Sequence, residues 1–459
     1  SLGYCNYYYC NGGCNMRFYD RESELNALLK VHQQILNGSR LSVITGRRRI
    51  GKTRLIRQFC QDKENLYFFV SRKSEEILCE EFMGYITDLG VPPAYGKITR
   101  LIDIFSLLFD LGAQREMIVV MDEFQELLHV NPAFFADFQN LWDRRKDSSH
   151  LHIIVSGSVY SMMHRIFLDY GQPLYGRADL LINLKAFPIS TMAEILEEEA
   201  ACSAENLLAC YILSGAVPRY LEILRDNNAL TKDRAIDLIF SPHSVFTDEG
   251  KHLLIEEFGR EYGVYFSILE LIAGGKNSRV EMESIVESSL GGYLDRLEND
   301  YKLIAQYRPV TAKKGSRSVK YKLHDPFLAF WFAFFYRYRS AIESLNTEYL
   351  KQRFTENYPQ FAGYWLERLF SDIYQQSGQY NVIGSYWEGG FHNEIDIVAI
   401  NDAKKLMTLA EVKMQSKNIR KEQLIKKSDK LRQQYPDYHI EYHYLSLDNL
   451  QGAIAKLKK

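Results

Sequence analysis

The sequence has no apolar stretch approaching the roughly 20 residues that a bilayer-spanning helix needs. Its longest aromatic run, residues 328–336, stops at Arg337 and Arg339 and reads as a buried helix. No membrane partner is expected. An excess of either charge is also missing. The 56 Lys and Arg against 58 Asp and Glu leave a formal net charge of −2, so nucleic-acid binding would have to rest on local patches rather than on overall basicity. Cysteine is sparse, with 7 in 459 residues, and an odd, dispersed set does not suggest a disulfide framework. Cys5, Cys10 and Cys14 lie close together, but no further His or Cys follows soon enough to complete a zinc site. No secretory signal or transit peptide is visible, so a cytoplasmic protein is expected. Organised sequence begins at Met16-Arg-Phe-Tyr-Asp-Arg-Glu, and residues 1–15 are expected either to lie upstream of the native start or to form a disposable, disordered tail. The length exceeds what one core usually supports, which points to two to four domains of about 100 to 200 residues each.

What is present starts with residues 46–53, which read Gly-Arg-Arg-Arg-Ile-Gly-Lys-Thr. This G-x-x-x-x-G-K-[ST] loop follows an apolar run at 41–45 and precedes a helix-like stretch from Arg54, the order that phosphate binding requires. Gly46 and Gly51 let the backbone turn N–H groups toward phosphate, Lys52 reaches the β/γ oxygens, and Thr53 can hold Mg²⁺. Arg49 and Arg54 join the candidate nucleotide-binding residues. The ligand class is therefore a nucleoside triphosphate, with ATP and Mg²⁺ as the expected pair.

Further apolar runs at 66–70, 117–121 and 151–155, separated by helix-length segments, fit a parallel sheet buried on both faces, so the fold class is α/β. The run at 117–121 ends in Asp122-Glu123, a Walker B pattern. Asp122 would bind Mg²⁺ and Glu123 would orient or deprotonate the attacking water. Ser156 and Ser158 close the next strand, either as γ-phosphate sensors or as strand-end caps. Arg177 and Arg219 are candidate arginine sensors or fingers, acting in cis or across a homo-oligomer.

Six segments together resemble the archaeal-type ATPases, also found in bacteria, within the STAND branch of the AAA+ superfamily. They are Phe18-Tyr-Asp-Arg-Glu, the loop at 46–53, Met121-Asp-Glu-Phe-Gln, Ser156-Gly-Ser, Tyr175-Gly-Arg and Gly215-Ala-Val-Pro-Arg-Tyr. The resemblance implies an ATPase core over 16–184 and a helical lid over 185–258, with Arg21 near the adenine and Pro218 in the lid. Asp20 departs from the glycine usual in that family, which leaves the local backbone open.

Residues 262–325 read as helices followed by a hairpin, an order that fits a winged helix; with the aromatic helix this unit is expected over 259–340. The hairpin tip at 311–322 carries five basic residues and no acid, suited either to phosphate contact or to plain solvation. From 341 to 459 the pattern changes again. Asp396 on one strand, with Glu411 and Lys413 on another, resembles the PD-(D/E)XK nuclease core. Asp396 and Glu411 would share Mg²⁺, Lys413 would position the nucleophile or phosphate, and Glu367 on the preceding helix would add a ligand. A structural ion-pair cluster is the competing reading. A basic helix is expected over 417–432.

The sequence thus suggests an ATP-driven switch acting on DNA or another nucleic acid, with a metal-dependent C-terminal nuclease. The alternative is a nucleotide-switched protein-interaction scaffold in which the nuclease-like site is vestigial.

Overall fold

The structure, a computed structural model, describes residues 16–91, 96–312, 319–388 and 392–457. The tail at 1–15 with its three cysteines, and Lys313, Lys314 and Arg317 of the hairpin tip, lie outside the described residues.

Five parallel strands form the N-terminal sheet: β1 (Arg40–Thr45), β2 (Asn65–Phe69), β3 (Met117–Asp122), β4 (Leu151–Gly157) and β5 (Leu180–Asn183), in the order β2-β3-β4-β1-β5. Every residue of β3 and β4 is buried. That explains their unbroken apolar runs, because helices cover both faces of a parallel sheet. Leu41, Val43 and Val119 point into one core cluster while Ile44, Ile118 and Val120 point into another. β5 is short and largely exposed, too weakly patterned to stand out in the sequence.

Helices Ile189–Glu198, Ala204–Ser214, Pro218–Asp226, Lys232–Ile239 and Glu249–Phe258 follow the sheet. The next module has helices Tyr262–Ala273, Arg279–Val286 and Gly291–Asn299, then an antiparallel hairpin of β6 (Ile304–Tyr307) and β7 (Lys320–Leu323). The aromatic run is buried as expected. Its winding differs, because an α-turn over Pro326–Phe330 passes into a π-helix over Trp331–Tyr336.

A 30-residue helix, Thr347–Gln376, leads into a mixed sheet of β8 (Val382–Glu388), β9 (His392–Asn401), β10 (Leu406–Lys413) and β11 (His439–Ser446) in the order β11-β10-β9-β8. β8, β9 and β10 run as an antiparallel meander, and β11 returns parallel to β10. The basic helix expected over 417–432 is two helices, Lys421–Lys427 and Asp429–Gln434. Ser428 breaks it. Its hydroxyl donates to the Ile425 carbonyl at 2.6 Å and lies 3.0 Å from the Tyr442 hydroxyl, the local competition by which serine interrupts helices.

One buried cluster runs from Leu28 through the helices that follow the sheet and the aromatic run to Ile454. The modules therefore share a core. Gly250 marks one junction, since a Cβ there would overlap the Trp331 ring. Gly84, in helix Glu75–Asp88, has nothing within 4 Å of its would-be Cβ. Alanine in a helix interior is about 1 kcal/mol better than glycine, whereas overpacking costs about 1–3 kcal/mol. Gly84→Ala is expected to raise the thermal unfolding midpoint and Gly250→Ala to lower it, both read by calorimetry; equal shifts of one sign would contradict the packing at Trp331.

Candidate nucleotide-binding and carboxylate sites

The phosphate loop joins β1 to helix Lys52–Cys60, and its shape depends on left-handed backbone at Arg49 (φ 68°) and Gly51 (φ 95°). The Lys52 ammonium is buried. It donates to the Gly46 carbonyl at 2.7 Å and the Arg47 carbonyl at 3.2 Å, and burial lowers its pKa to about 8 against the opposing pull of Glu123 and Asp122. A buried ammonium bound only to neutral carbonyls suits an incoming anion. Arg47, whose side chain is 25% exposed, adds two guanidinium nitrogens out of reach of solvent, Nε and Nη2, without hydrogen-bond partners, and such orphaned donors are costly unless an anion takes them. These residues fit a polyphosphate.

Asp122, at the end of β3, accepts from Thr53 Oγ1 at 3.2 Å and also from Ser156 and Tyr67. Thr53 and Asp122 are therefore already side by side, the pair that would hold Mg²⁺. Glu123 stands in left-handed backbone (φ 54°) and accepts from Ser158 at 2.7 Å and from Gln125. A non-glycine residue held at positive φ stores about 1–3 kcal/mol of strain, a feature that clusters at functional sites.

Helix Pro218–Asp226 approaches this centre. Pro218 Cγ lies 3.9 Å from where a Gly51 Cβ would be. Arg21 donates to the Lys185 carbonyl at 2.6 Å and lies 5.0 Å from the Phe187 ring centroid. Asp20 and Arg21 both adopt positive φ (56° and 83°), which accounts for the glycine usual before Arg-Glu. Arg54 donates to the Met16 carbonyl. Arg177 is held bidentately by Asp143 at 2.7 and 3.1 Å, and Arg219 pairs with Glu222; among the described residues neither bonds to the loop.

Sequence reasoning missed the partners of the loop arginines. Arg47 pairs with Asp325, Arg48 with Glu256 at 2.7 Å, and Arg49 with Glu249. Glu257 accepts from the Tyr160 N–H at 2.6 Å and the Ser161 hydroxyl at 2.7 Å. Helix Glu249–Phe258 thus clasps the ATPase core with three glutamates. The signal was three adjacent arginines facing an acid-rich lid end, whose register only the fold supplies. Tyr67 carried no signal outside the fold, and Gln125 none beyond its place in the segment from Met121.

At the C-terminal sheet, Asp396 on β9 accepts from the Val412 N–H at 2.8 Å and Lys413 Nζ at 3.2 Å. Glu411 is buried. Its Oε1 lies 3.7 Å from Lys413 and 3.8 Å from Lys427, and its Oε2 has no partner. Burial, then Asp396, holds the Glu367 carboxyl well above the ordinary carboxylate range, while Lys413 and Lys322 pull it back. The four expected residues are electrostatic neighbours. Among the described residues no group of three or more His, Cys, Asp or Glu is disposed to hold a metal ion. The orphaned Glu411 oxygen beside Asp396 fits Mg²⁺ in its commoner mode, one or two carboxylates completed by water and substrate phosphate.

Sheet order, phosphate loop and adjoining carboxylates define a P-loop ATPase core. Residues 18–224 match a family described as an ATPase domain predominantly from Archaea. Residues 331–425 match a second family, described as Archaea bacterial proteins of unknown function. An uncharacterized protein of Methanocaldococcus jannaschii is 28% identical over 408 residues, 86% of this chain and 87% of its own. A Walker-type ATPase of Pyrococcus abyssi shares the fold at a TM-score of 0.53 and 22% identity, over 69% of this chain and 96% of that one. The ORC2 protein of Aeropyrum pernix, solved in ADPNP and ADP complexes, aligns at a TM-score of 0.46 and 17% identity, over 70% of this chain and 95% of its own.

Lys52→Ala is expected to abolish tight ATP binding in calorimetric titration. Glu123→Gln is expected to keep ATP binding while slowing turnover by about 10²-fold or more, and unchanged turnover would overturn the assignment of Glu123 to the attacking water.

Proposed function

We propose that the chain is a Mg²⁺-dependent ATPase whose nucleotide state governs a nucleic-acid-directed C-terminal half. The observation that carries this reading is the set of ion pairs from three successive loop residues, Arg47, Arg48 and Arg49, to Asp325, Glu256 and Glu249. Phosphate arriving at the loop competes for the same guanidinium groups. The lid and the hairpin module are then released or repositioned by charge competition, which gives the ligand the differential interaction that a population shift requires.

Within the core, Lys52 binds the β/γ oxygens, Thr53 and Asp122 hold Mg²⁺, and Glu123, steadied by Ser158 and Gln125, orients water for attack. The bound Mg²⁺ neutralises charge on the phosphate oxygens. Arg21 and Pro218 flank the base. Arg177 and Arg219 reach a γ-phosphate only if their pairs with Asp143 and Glu222 open, or by acting across a homo-oligomer.

The three helices and hairpin are read as a winged helix and the C-terminal meander as a PD-(D/E)XK nuclease-like domain. There Asp396 and Glu411 would hold the metal together with water and substrate phosphate, Glu367 would stand behind them, and Lys413 would position phosphate. Helix order, strand order and the orphaned Glu411 oxygen support this assignment. The scaffold reading is favoured by a different observation, the occupation of Asp396 and Glu411 by Lys413 and Lys427.

Wild-type protein is expected to cleave single- or double-stranded nucleic acid with Mg²⁺ or Mn²⁺ in an ATP-dependent manner, and Asp396→Ala to lose cleavage while keeping ATPase turnover. No cleavage of any substrate, together with ATPase indifferent to nucleic acid, would reject the coupling and leave the scaffold. A Glu249→Gln, Glu256→Gln double variant is expected to bind ATP about fivefold more tightly or better, the lower end of typical coupling energies. Weaker binding would mean that the ion pairs support the loop rather than compete with phosphate.

A further inference from the structure

A cavity of about 320 Å³ lies between helix Tyr262–Ala273, strand β7, the π-helical turn and helix Thr347–Gln376, away from the phosphate loop. Its lining contains no carboxylate but two cations, Lys322 and Arg337. Among the described residues neither cation makes a hydrogen bond or ion pair to an acid. Lys322 Nζ is instead bracketed by the Tyr307 and Tyr364 rings at 4.9 and 5.0 Å, and Arg337 Cζ lies 5.7 Å from the Tyr338 ring centroid. This is unusual in a chain whose other basic groups so often carry acidic partners, those of the phosphate loop included.

A second, independent observation concerns Trp365. It lines the same cavity, is 1% exposed, and its Nε1 has no hydrogen-bond partner. A buried indole N–H normally finds an acceptor, and leaving one unmade costs about 1–3 kcal/mol. Phe361 and Tyr364 add flat aromatic walls. The cavity is within the size range of small-molecule sites, which are mostly apolar with a few convergent polar groups. The π-helix that forms one wall is a feature often retained at functional sites.

We propose that this cavity binds a small anion carrying a planar aromatic ring. The anionic group is received by Lys322 and Arg337, the ring lies against Phe361 and Tyr364, and an acceptor atom on the ligand takes the Trp365 N–H. Anionic character follows from Lys322 and Arg337, which face a lining without carboxylates, Glu367 acting on Lys322 from outside it; planarity follows from the aromatic walls. The site contains no residue of the phosphate loop, and it meets the carboxylate site only through Lys322. Because it is built from the hairpin, the aromatic turn and the long helix, a ligand there bridges three elements of the chain.

The test uses the full chain in saturating Mg²⁺-ADP, which keeps anionic probes off the phosphate loop. Anilinonaphthalene sulfonate is the aromatic anion, phenylnaphthylamine its neutral counterpart, and inorganic phosphate the anion without a ring. The sulfonate is expected to bind saturably at one site per chain, and Arg337→Gln and Lys322→Gln are each expected to weaken it by about tenfold, the scale of losing a charge-assisted hydrogen bond. The neutral probe and phosphate are each expected to bind more weakly than the sulfonate. Arg337 is exposed, so its variant tests the site without threatening the fold. In the nitrogen–proton spectrum, the indole resonance that disappears in Trp365→Phe is expected to shift when the sulfonate is added. Equal binding of the neutral probe, unaltered affinity in Arg337→Gln, or a Trp365 resonance that does not move would each overturn the proposal.

Discussion

Three guanidinium groups in succession on one short loop repel one another, and the loop holds its shape because carboxylates from elsewhere in the chain meet each of them. The contributions are unequal. Arg48 and Glu256 have side chains 41% and 28% exposed, and an ion pair so open to water is worth about 0–1 kcal/mol. Glu249 is only 3% exposed while Arg49 is 39% exposed, so this pair is worth more than the open one and less than a fully buried pair. Glu249 also accepts from the Tyr220 hydroxyl at 2.7 Å, so Arg49 and the lid helix Pro218–Asp226 meet on one carboxylate. The Arg49–Glu249 contact is the pair on which the placement of the lid mainly depends.

That contact and the geometry of the loop are one constraint. Arg49 reaches Glu249 from left-handed backbone at φ 68°, and the next residue along from Glu249 is Gly250, which must remain glycine-small beneath Trp331. Trp331 begins the π-helical turn and donates to the Thr247 carbonyl at 2.8 Å. Phe330, one residue earlier, lies 5.3 Å from Phe354 of the long helix, which carries Glu367 toward the C-terminal carboxylates. Packed interiors of this kind shift between discrete arrangements rather than deform smoothly. A displacement at Glu249 therefore has a contiguous physical route to the far sheet, through contacts that exist whether or not the two ends are functionally coupled.

Much of the ATPase centre was legible in sequence because its chemistry is local. The loop at 46–53, the apolar runs and Asp122-Glu123 each fit within a few residues, and periodicity alone separated strand from helix. Lys413, two positions from Glu411, was readable for the same reason. What stayed hidden depends on contacts between distant segments. Tyr67 finds Asp122 across 55 positions and Arg48 finds Glu256 across 208. The split of the basic helix at Ser428 turned on a hydroxyl that only burial against Tyr442 makes decisive. The π-winding of the aromatic run left no mark in its pattern of apolar residues.

The hairpin shows most clearly how placement changes the meaning of charge. Read as sequence, Lys320 and Lys322 belong to a basic tip facing solvent or phosphate. In the fold, the hairpin docks on the C-terminal sheet, where Val310 N–H donates to the Ser385 carbonyl at 3.0 Å and Lys320 bonds Glu394 at 3.1 Å while lying over Trp387. Lys322, two residues on, occupies the same strand face. Burial lowers its pKa, and the nearby Glu367 opposes that shift. One side chain therefore stands between the cavity and the carboxylate site. Any anion that draws Lys322 toward the cavity weakens the field Lys322 exerts at Glu367 and Asp396, because Coulomb energy falls with separation and a low-dielectric interior screens it little.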